Sequence, residues 1–168
     1  MRNVPLVGIY LAAIVLANLS VALFGPSVVI LNAIVLIGLD ITARDALHEQ
    51  WHGRLLWLKM AALIIAGSLL SWLLNRSAGP IALASCIAFA LSSLADTAVY
   101  AALGRQSWFT RVNGSNVVSA AVDSVVFPTL AFGAWLPWIV LGQWLAKVIG
   151  GACWAYVLRR RRAVLVPV

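Results

Sequence analysis

The sequence predicts an all-α, polytopic integral membrane protein with six transmembrane helices and both termini cytoplasmic. Three observations lead there. Hydrophobic residues make up 63% of the 168 residues and charged ones 10%, more apolar surface than one soluble core of this size can hide, so the surplus must face lipid. No charged side chain occurs from Asn3 to Leu39, and later apolar stretches of about twenty residues each suffice to cross a hydrocarbon core of ~30 Å. Lys and Arg are concentrated between alternate pairs of these stretches, the asymmetry that orients membrane helices.

The expected spans, within a single transmembrane domain covering 1–168, are Pro5 to Phe24, Ser27 to Ile41, Leu55 to Leu74, Ile81 to Leu103, Val112 to Phe132 and Ala134 to Leu158. Gly25-Pro26, Gly53-Arg54, Gly79-Pro80, Gly104-Arg105 and Gly133 punctuate them, because Gly and Pro interrupt helices. The second span is short for a crossing, so it either thins the bilayer locally or continues as a helix into the polar segment Asp40 to Arg54. The positive tip at Arg2 resembles that of a signal peptide, but the apolar run behind it is too long for an h-region, so it reads as a retained first helix.

With the N-terminus inside, Arg2, Arg44, Arg54, Lys59, Arg105, Arg111 and Arg159 to Arg162 are cytoplasmic, and Arg76 is the clear external base. The last four form a basic cytoplasmic tail (159–168) suited to anionic lipid, so the net charge of +7 reads as topology and bilayer attraction rather than nucleic-acid binding. Trp51, Trp57 and Trp108 fall at inner ends and Trp72, Trp135 and Trp138 at outer ends, where indoles anchor helices. Cys86 and Cys153 lie in apolar stretches without metal-ligand spacing.

Ionisable side chains inside a span cost roughly 2.5 to 3.5 kcal/mol each on insertion scales, so each needs a partner, a cavity or a function. Here they are Asp96, Asp123 and Lys147. Asp123 and Lys147 lie at matching depth in the fifth and sixth spans, which makes an interhelical ion pair the simplest arrangement. Helical spacing puts Ser85, Phe89, Ser92, Asp96 and Tyr100 on one face of the fourth span, and Asn113, Asn116, Ala120, Asp123 and Phe127 on one face of the fifth. Gln143 precedes Lys147 by one turn, and Asn18 and Asn32 lie in the outer halves of the first two spans. Such residues either line a central cavity or hydrogen-bond helices together.

His48-Glu49-Gln50-Trp51-His52 matches the H-E-x-x-H pattern of zinc proteases. A catalytic zinc also needs a third protein ligand, and no third-ligand motif accompanies the pattern. The bland reading is an interfacial helical turn, so no metal, cofactor or enzymatic activity is expected. No Gly-rich run leads into Lys-Ser or Lys-Thr, which argues against ATP hydrolysis by this chain.

Asp40-Ile41-Thr42-Ala43-Arg44 resembles the Asp-x-Thr-x-Arg signature of the queuosine-precursor transporters, also called VUT-type vitamin uptake transporters. Ala82 to Phe89, leading to Asp96 and Val99-Tyr100, is similar to that family's small-residue fourth helix, and Asp123-Ser124-Val125-Val126-Phe127 with Ala131-Phe132 to its most distinctive motif. Lys147-Val148 falls where the family has a lysine. The resemblance implies import of 7-cyano-7-deazaguanine or a related 7-deazapurine across the cytoplasmic (inner) membrane. In that reading Asp96, Asp123 and Lys147, supported by Asn116, Asn32 and Gln143, bind the base; Phe89, Tyr100 and Phe127 flank its ring; and Asp40 with Arg44 forms an inner gate. A carboxylate with Lys, Asn or Gln complements the donors and acceptor of a deazaguanine edge, and aromatics complement its flat ring. The partners are then this small molecule and the lipid bilayer, with no nucleic acid; monomer and homo-oligomer both remain open. The alternatives are a substrate-binding subunit of an energy-coupling-factor-type vitamin transporter and an intramembrane zinc protease. The topology predicts that cysteines introduced at Arg76 or Gly133 react with impermeant thiol reagents outside intact cells, whereas one at Arg105 does not; reaction at Arg105 contradicts it.

Overall fold

A computed structural model describes residues 4–40, 43, 47, 51 and 55–165. Helix α1 (Val4–Phe24) is followed by a 3-10 turn (Gly25–Val28) and by α2, which starts at Val29–Asn32 and runs on through a π turn (Ala33–Ile37). Then come α3 (Leu56–Leu74), a 3-10 turn (Arg76–Ala78), α4 (Gly79–Ala102), α5 (Trp108–Phe132) and α6 (Pro137–Leu165). No strand occurs among the described residues. By length and apolar composition, the stretches Pro5–Asp40, Arg76–Ala102 and Asn113–Phe132 can each cross a membrane, and Leu58–Leu74 is a shorter apolar helix.

Pro5–Asp40 is not one rod. Asn32 Nδ2 donates to Ala17 O at 3.3 Å and Ser20 Oγ at 2.7 Å, whereas a straight helix would hold residues 17 and 32 about 22 Å apart. The chain reverses at Gly25, whose φ of 65° is left-handed, followed by Pro26 with its helix-compatible φ. Gly133, at φ 63°, ends α5 in the same way, its N–H bonding Thr129 O at 3.0 Å. Helix α5 starts at Trp108, four residues before the expected Val112, because Ser107 caps it by accepting from the Thr110 N–H at 3.2 Å. Helix α6 starts at Pro137 rather than Ala134, and it continues through Arg159–Arg162 to Leu165 where the sequence suggested a tail. Arginine is a good helix former and suits the negative C-terminal end of a helix dipole.

The helices neighbour one another in a closed order: α2 beside α1, α1 beside α3, then α4, α5 and α6, with α6 returning to the π turn of α2. The turns at Gly25–Val28, Arg76–Ala78 and Gly133–Leu136 share one end of the bundle, called here the far end; the other is the near end.

Composition is inverted relative to a soluble protein. The buried residues are largely small or polar, among them Ala13, Ala17, Ala33, Ala84, Ala88, Ser71, Ser92 and Ser124, while Leu16, Leu23, Leu58, Leu73, Leu83, Leu94, Leu130 and Ile149 are exposed. Lipid solvates the large aliphatic side chains as well as a protein core does, so association relies on close contact of small faces. The sharpest case is the α6 face Gly142, Ala146, Gly150 against α2. A Cβ on Gly150 would sit 2.6 Å from the Ile34 carbonyl oxygen and 3.0 Å from its Cα. One on Gly142 would meet the Ile30 side chain at 2.5 Å, but at its flexible Cδ1 tip. Gly150→Ala is therefore expected to cost about 1–3 kcal/mol of stability, as overpacking does. Gly142→Ala, next to a side chain that can rotate away, is expected to cost less. Thermal unfolding in detergent compares them, and equal losses would contradict this account.

Candidate functional site

The site grows from α5 and α6. Lys147, 3% exposed on α6, directs its Nζ at Asp123 Oδ2 on α5, and the same ammonium reaches Ser124 Oγ at 3.3 Å. The depth match read in the sequence thus becomes an ion pair. In hydrocarbon each charge alone would be strongly disfavoured, and together they cancel most of the field each projects. Trp144 Nε1 donates to Val117 O at 3.1 Å, a second tie between the two helices. Trp144 stands apart from the indoles expected at the membrane boundaries. The signal was there: a mid-helix indole N–H in an apolar stretch needs an acceptor.

These contacts fix the rotation of α6. Gly142, Ala146 and Gly150 face α2, Trp144 and Lys147 face α5, and Gln143 lies between those directions, toward the bundle interior. Gln143 is 3% exposed, and its buried Oε1 has no hydrogen-bond partner among the described residues. On α4, Ser92 is buried, with its hydroxyl bonded to Phe89 O at 3.0 Å, and one turn on Asp96 has a buried Oδ1 that likewise lacks a partner among them. Native interiors leave few such acceptors, and each calls for an explanation.

The other nominated residues divide by what they already do. Asn32 spends its amide on the α1 backbone and Ser20, and Asn18 Nδ2 donates to Ser71 Oγ at 3.2 Å, so both staple helices together. Asn116 is half-buried on α5, its backbone carbonyl accepting from Ser119 Oγ at 3.1 Å. Phe89 packs on a near-side cluster of Tyr10, Ile14, Ala43, Leu47, Met60 and Ile64. Phe127 packs on a far-end cluster and meets Phe132 edge to face, centroids 6.4 Å apart. The two phenylalanines thus belong to separate apolar clusters. Tyr100 is half-buried toward the near end of α4, and Asp40 is buried at the end of α2. Arg44, and His48, Glu49, Gln50 and His52 of the H-E-x-x-H pattern, lie outside the described residues.

Depth separates the polar groups further. At 1.5 Å per residue, Gln143 lies about 9 Å from the far end of its helix, Asp123 and Lys147 about 14 Å, and Asp96 and Asn116 roughly 25 Å. They are spread along the bundle, with the ion pair between an acceptor nearer the far end and one nearer the near end. An open groove of about 250 Å³ lies elsewhere, on the outside between α5 and α6, lined by Ala121, Val125, Trp135, Pro137, Val140, Leu141 and Trp144. None of the nominated residues lines it.

Described residues that are helical apart from short turns, with large aliphatic side chains facing outward and an ion pair buried on its Lys147 side, define a polytopic membrane protein. The sequence profile of the family described as "Putative vitamin uptake transporter" matches residues 12–158, and the chain belongs to that family of transporters. No curated protein and no solved structure matches it.

The ion pair yields a direct test. Asp123→Asn or Lys147→Met strands the remaining partner, an effect of up to about 3 kcal/mol with Lys147 buried and the Asp123 side chain 24% exposed, whereas removing both strands nothing. Each single variant is expected to lower the folded yield measured by size-exclusion chromatography, and the double variant to recover more of it than either. A double variant no better than the worse single one would argue against a stabilising pair.

Proposed function

We propose that this chain crosses the cytoplasmic membrane six times, with both ends inside, and imports 7-cyano-7-deazaguanine or a related 7-deazapurine. Membership of the transporter family supports transport. The residue pattern shared with queuosine-precursor transporters supports the substrate class. The orientation rests on the distribution of Lys and Arg, and it makes the far end external. Arg76, the base assigned to that side, lies over the Trp72 ring with its guanidinium carbon 3.9 Å from the centroid, a stacked pair suited to the interface.

The observation that carries the substrate reading is the pair of buried acceptors without donors among the described residues, Gln143 Oε1 and Asp96 Oδ1. A deazaguanine presents N–H donors along its N1 and exocyclic-amine edge, so it satisfies such oxygens, and the Asp96 carboxylate makes the stronger, charge-assisted bonds. Lys147, by contrast, is engaged with Asp123 and Ser124. The proposed path runs from Gln143 past the ion pair to Asp96, with Asn116 and Tyr100 at the level of the inner acceptor. Asp40 and Arg44 form the inner gate of this reading.

Thermal shift of the purified protein against purines, deazapurines and vitamins tests the substrate, since a ligand that binds the native state raises its apparent stability. A shift confined to a vitamin outside the purine group would overturn the deazapurine assignment. Proteoliposomes containing this chain alone are expected to take up the labelled base. Uptake that appears only with an added ATPase would instead identify a binding subunit of an energy-coupling-factor-type system. Asp96→Asn keeps the shape of the side chain but presents an amide where the carboxylate accepts. It is expected to reach wild-type folded yield and to lose uptake; normal transport would remove Asp96 from the path.

A further inference from the structure

We propose that the far-end tip of α5, hinged at Pro128, is the external gate of the transport path, and that the structure holds it shut. The far end is closed by an apolar plug in which Val21 of α1, Val29 of α2 and Ile81 of α4 are buried beneath Phe127 and Phe132 of α5 and Ile139 of α6. Five helices therefore converge on one cluster, and these six side chains offer no polar group to lead a solute through. Gln143 lies one turn beyond Ile139 along α6, so the plug covers the outer acceptor directly.

The α5 backbone is loosened where this plug would have to move. Pro128 is fully buried inside the helix and has no N–H, so the carbonyl of Ser124, four residues earlier, lacks its helical donor. One residue on, Thr129 Oγ1 bonds Val125 O at 2.7 Å, a side-chain bond that bends helices. Beyond them α5 has only one further turn before the left-handed Gly133. On the other side of the proline, Asp123 and Ser124 are both engaged by Lys147. Helix α5 is thus anchored at Asp123 and Ser124, while the turn that Pro128 loosens and the tip beyond it, from Phe127 to Phe132, are held mainly by apolar contact. Prolines are where helices kink, so swinging the tip exposes the plug without disturbing the ion pair.

This inference rests on the transport reading for its purpose, but its test needs no substrate. In a background with Cys86→Ala and Cys153→Ala, Ile81→Cys is labelled with a membrane-impermeant thiol reagent in intact cells, with Ala134→Cys, in the exposed turn after α5, as a control. The resting plug is expected to label slowly. Phe127→Ala with Phe132→Ala strips the aromatic cover from the buried Val21, Val29 and Ile81 and is expected to speed labelling at least about tenfold. Pro128→Ala returns a donor to the Ser124 carbonyl, stiffens the tip, and is expected to slow labelling several-fold. Equal rates in the parent and the double-alanine variant, with Ala134→Cys reacting normally, would overturn the gate whether or not Pro128→Ala folds. If labelling behaves as expected while no deazapurine is transported, the gate stands and the substrate assignment fails.

Discussion

A membrane interior supplies no water to solvate polar groups, and the Asp123–Lys147 pair is where that constraint acts most strongly on this chain. Meeting it sets more than one contact. Once Lys147 points at α5, the geometry of α6 directs Gly142, Ala146 and Gly150 toward α2 and Gln143 into the interior. Trp144, bonded to the Val117 carbonyl, reinforces the same rotation and register. The orientation of one helix, and through it the position of Gln143, follows from the need to neutralise two charges.

Between the helices, cohesion comes from proximity rather than from expelling water. Small residues line the contacts, Leu and Ile face outward, and at Gly150 two backbones meet with no room for a methyl group. The contact falls on the π turn Ala33–Ile37, where α2 departs from regular helical spacing between the stapled Asn32 and the buried Asp40. A wider turn of this kind is found inside α-helices at functional sites more often than elsewhere. Here it lies between Asn32, which locks α2 to α1, and the buried Asp40.

The polar groups fall into two kinds. Asn18, Asn32, Ser71, Ser124, Asp123 and Lys147 are committed to one another or to backbone. Gln143 Oε1 and Asp96 Oδ1 are buried and uncommitted among the described residues, at different depths on either side of the ion pair. A binding protein with one static pocket would gather such acceptors at one level. Their separation along the bundle suits a solute that moves past successive partners, in keeping with the transporter family to which the chain belongs.

Much of this is legible in the order of the amino acids alone. Apolar content requires an all-helical membrane protein, Gly25-Pro26, Gly79-Pro80 and Gly133 mark the reversals, and equal depth pairs Asp123 with Lys147, because a charge in hydrocarbon has few other places to go. The order of short motifs from Asp40 to Lys147 leads to the family. What the sequence leaves undecided is direction. Helices that are apolar all round have no hydrophobic face, so the 3.6-residue period cannot say which side meets protein and which meets lipid. Only packing decides that Asn32 is a staple while Gln143 Oε1 is left without a donor among the described residues, and that Phe127 belongs to a plug with Phe132 rather than opposite Phe89. The physical reason is that a side chain's role in a bilayer depends on the neighbour it faces, and neighbours are assigned by tertiary contact between segments far apart in the chain.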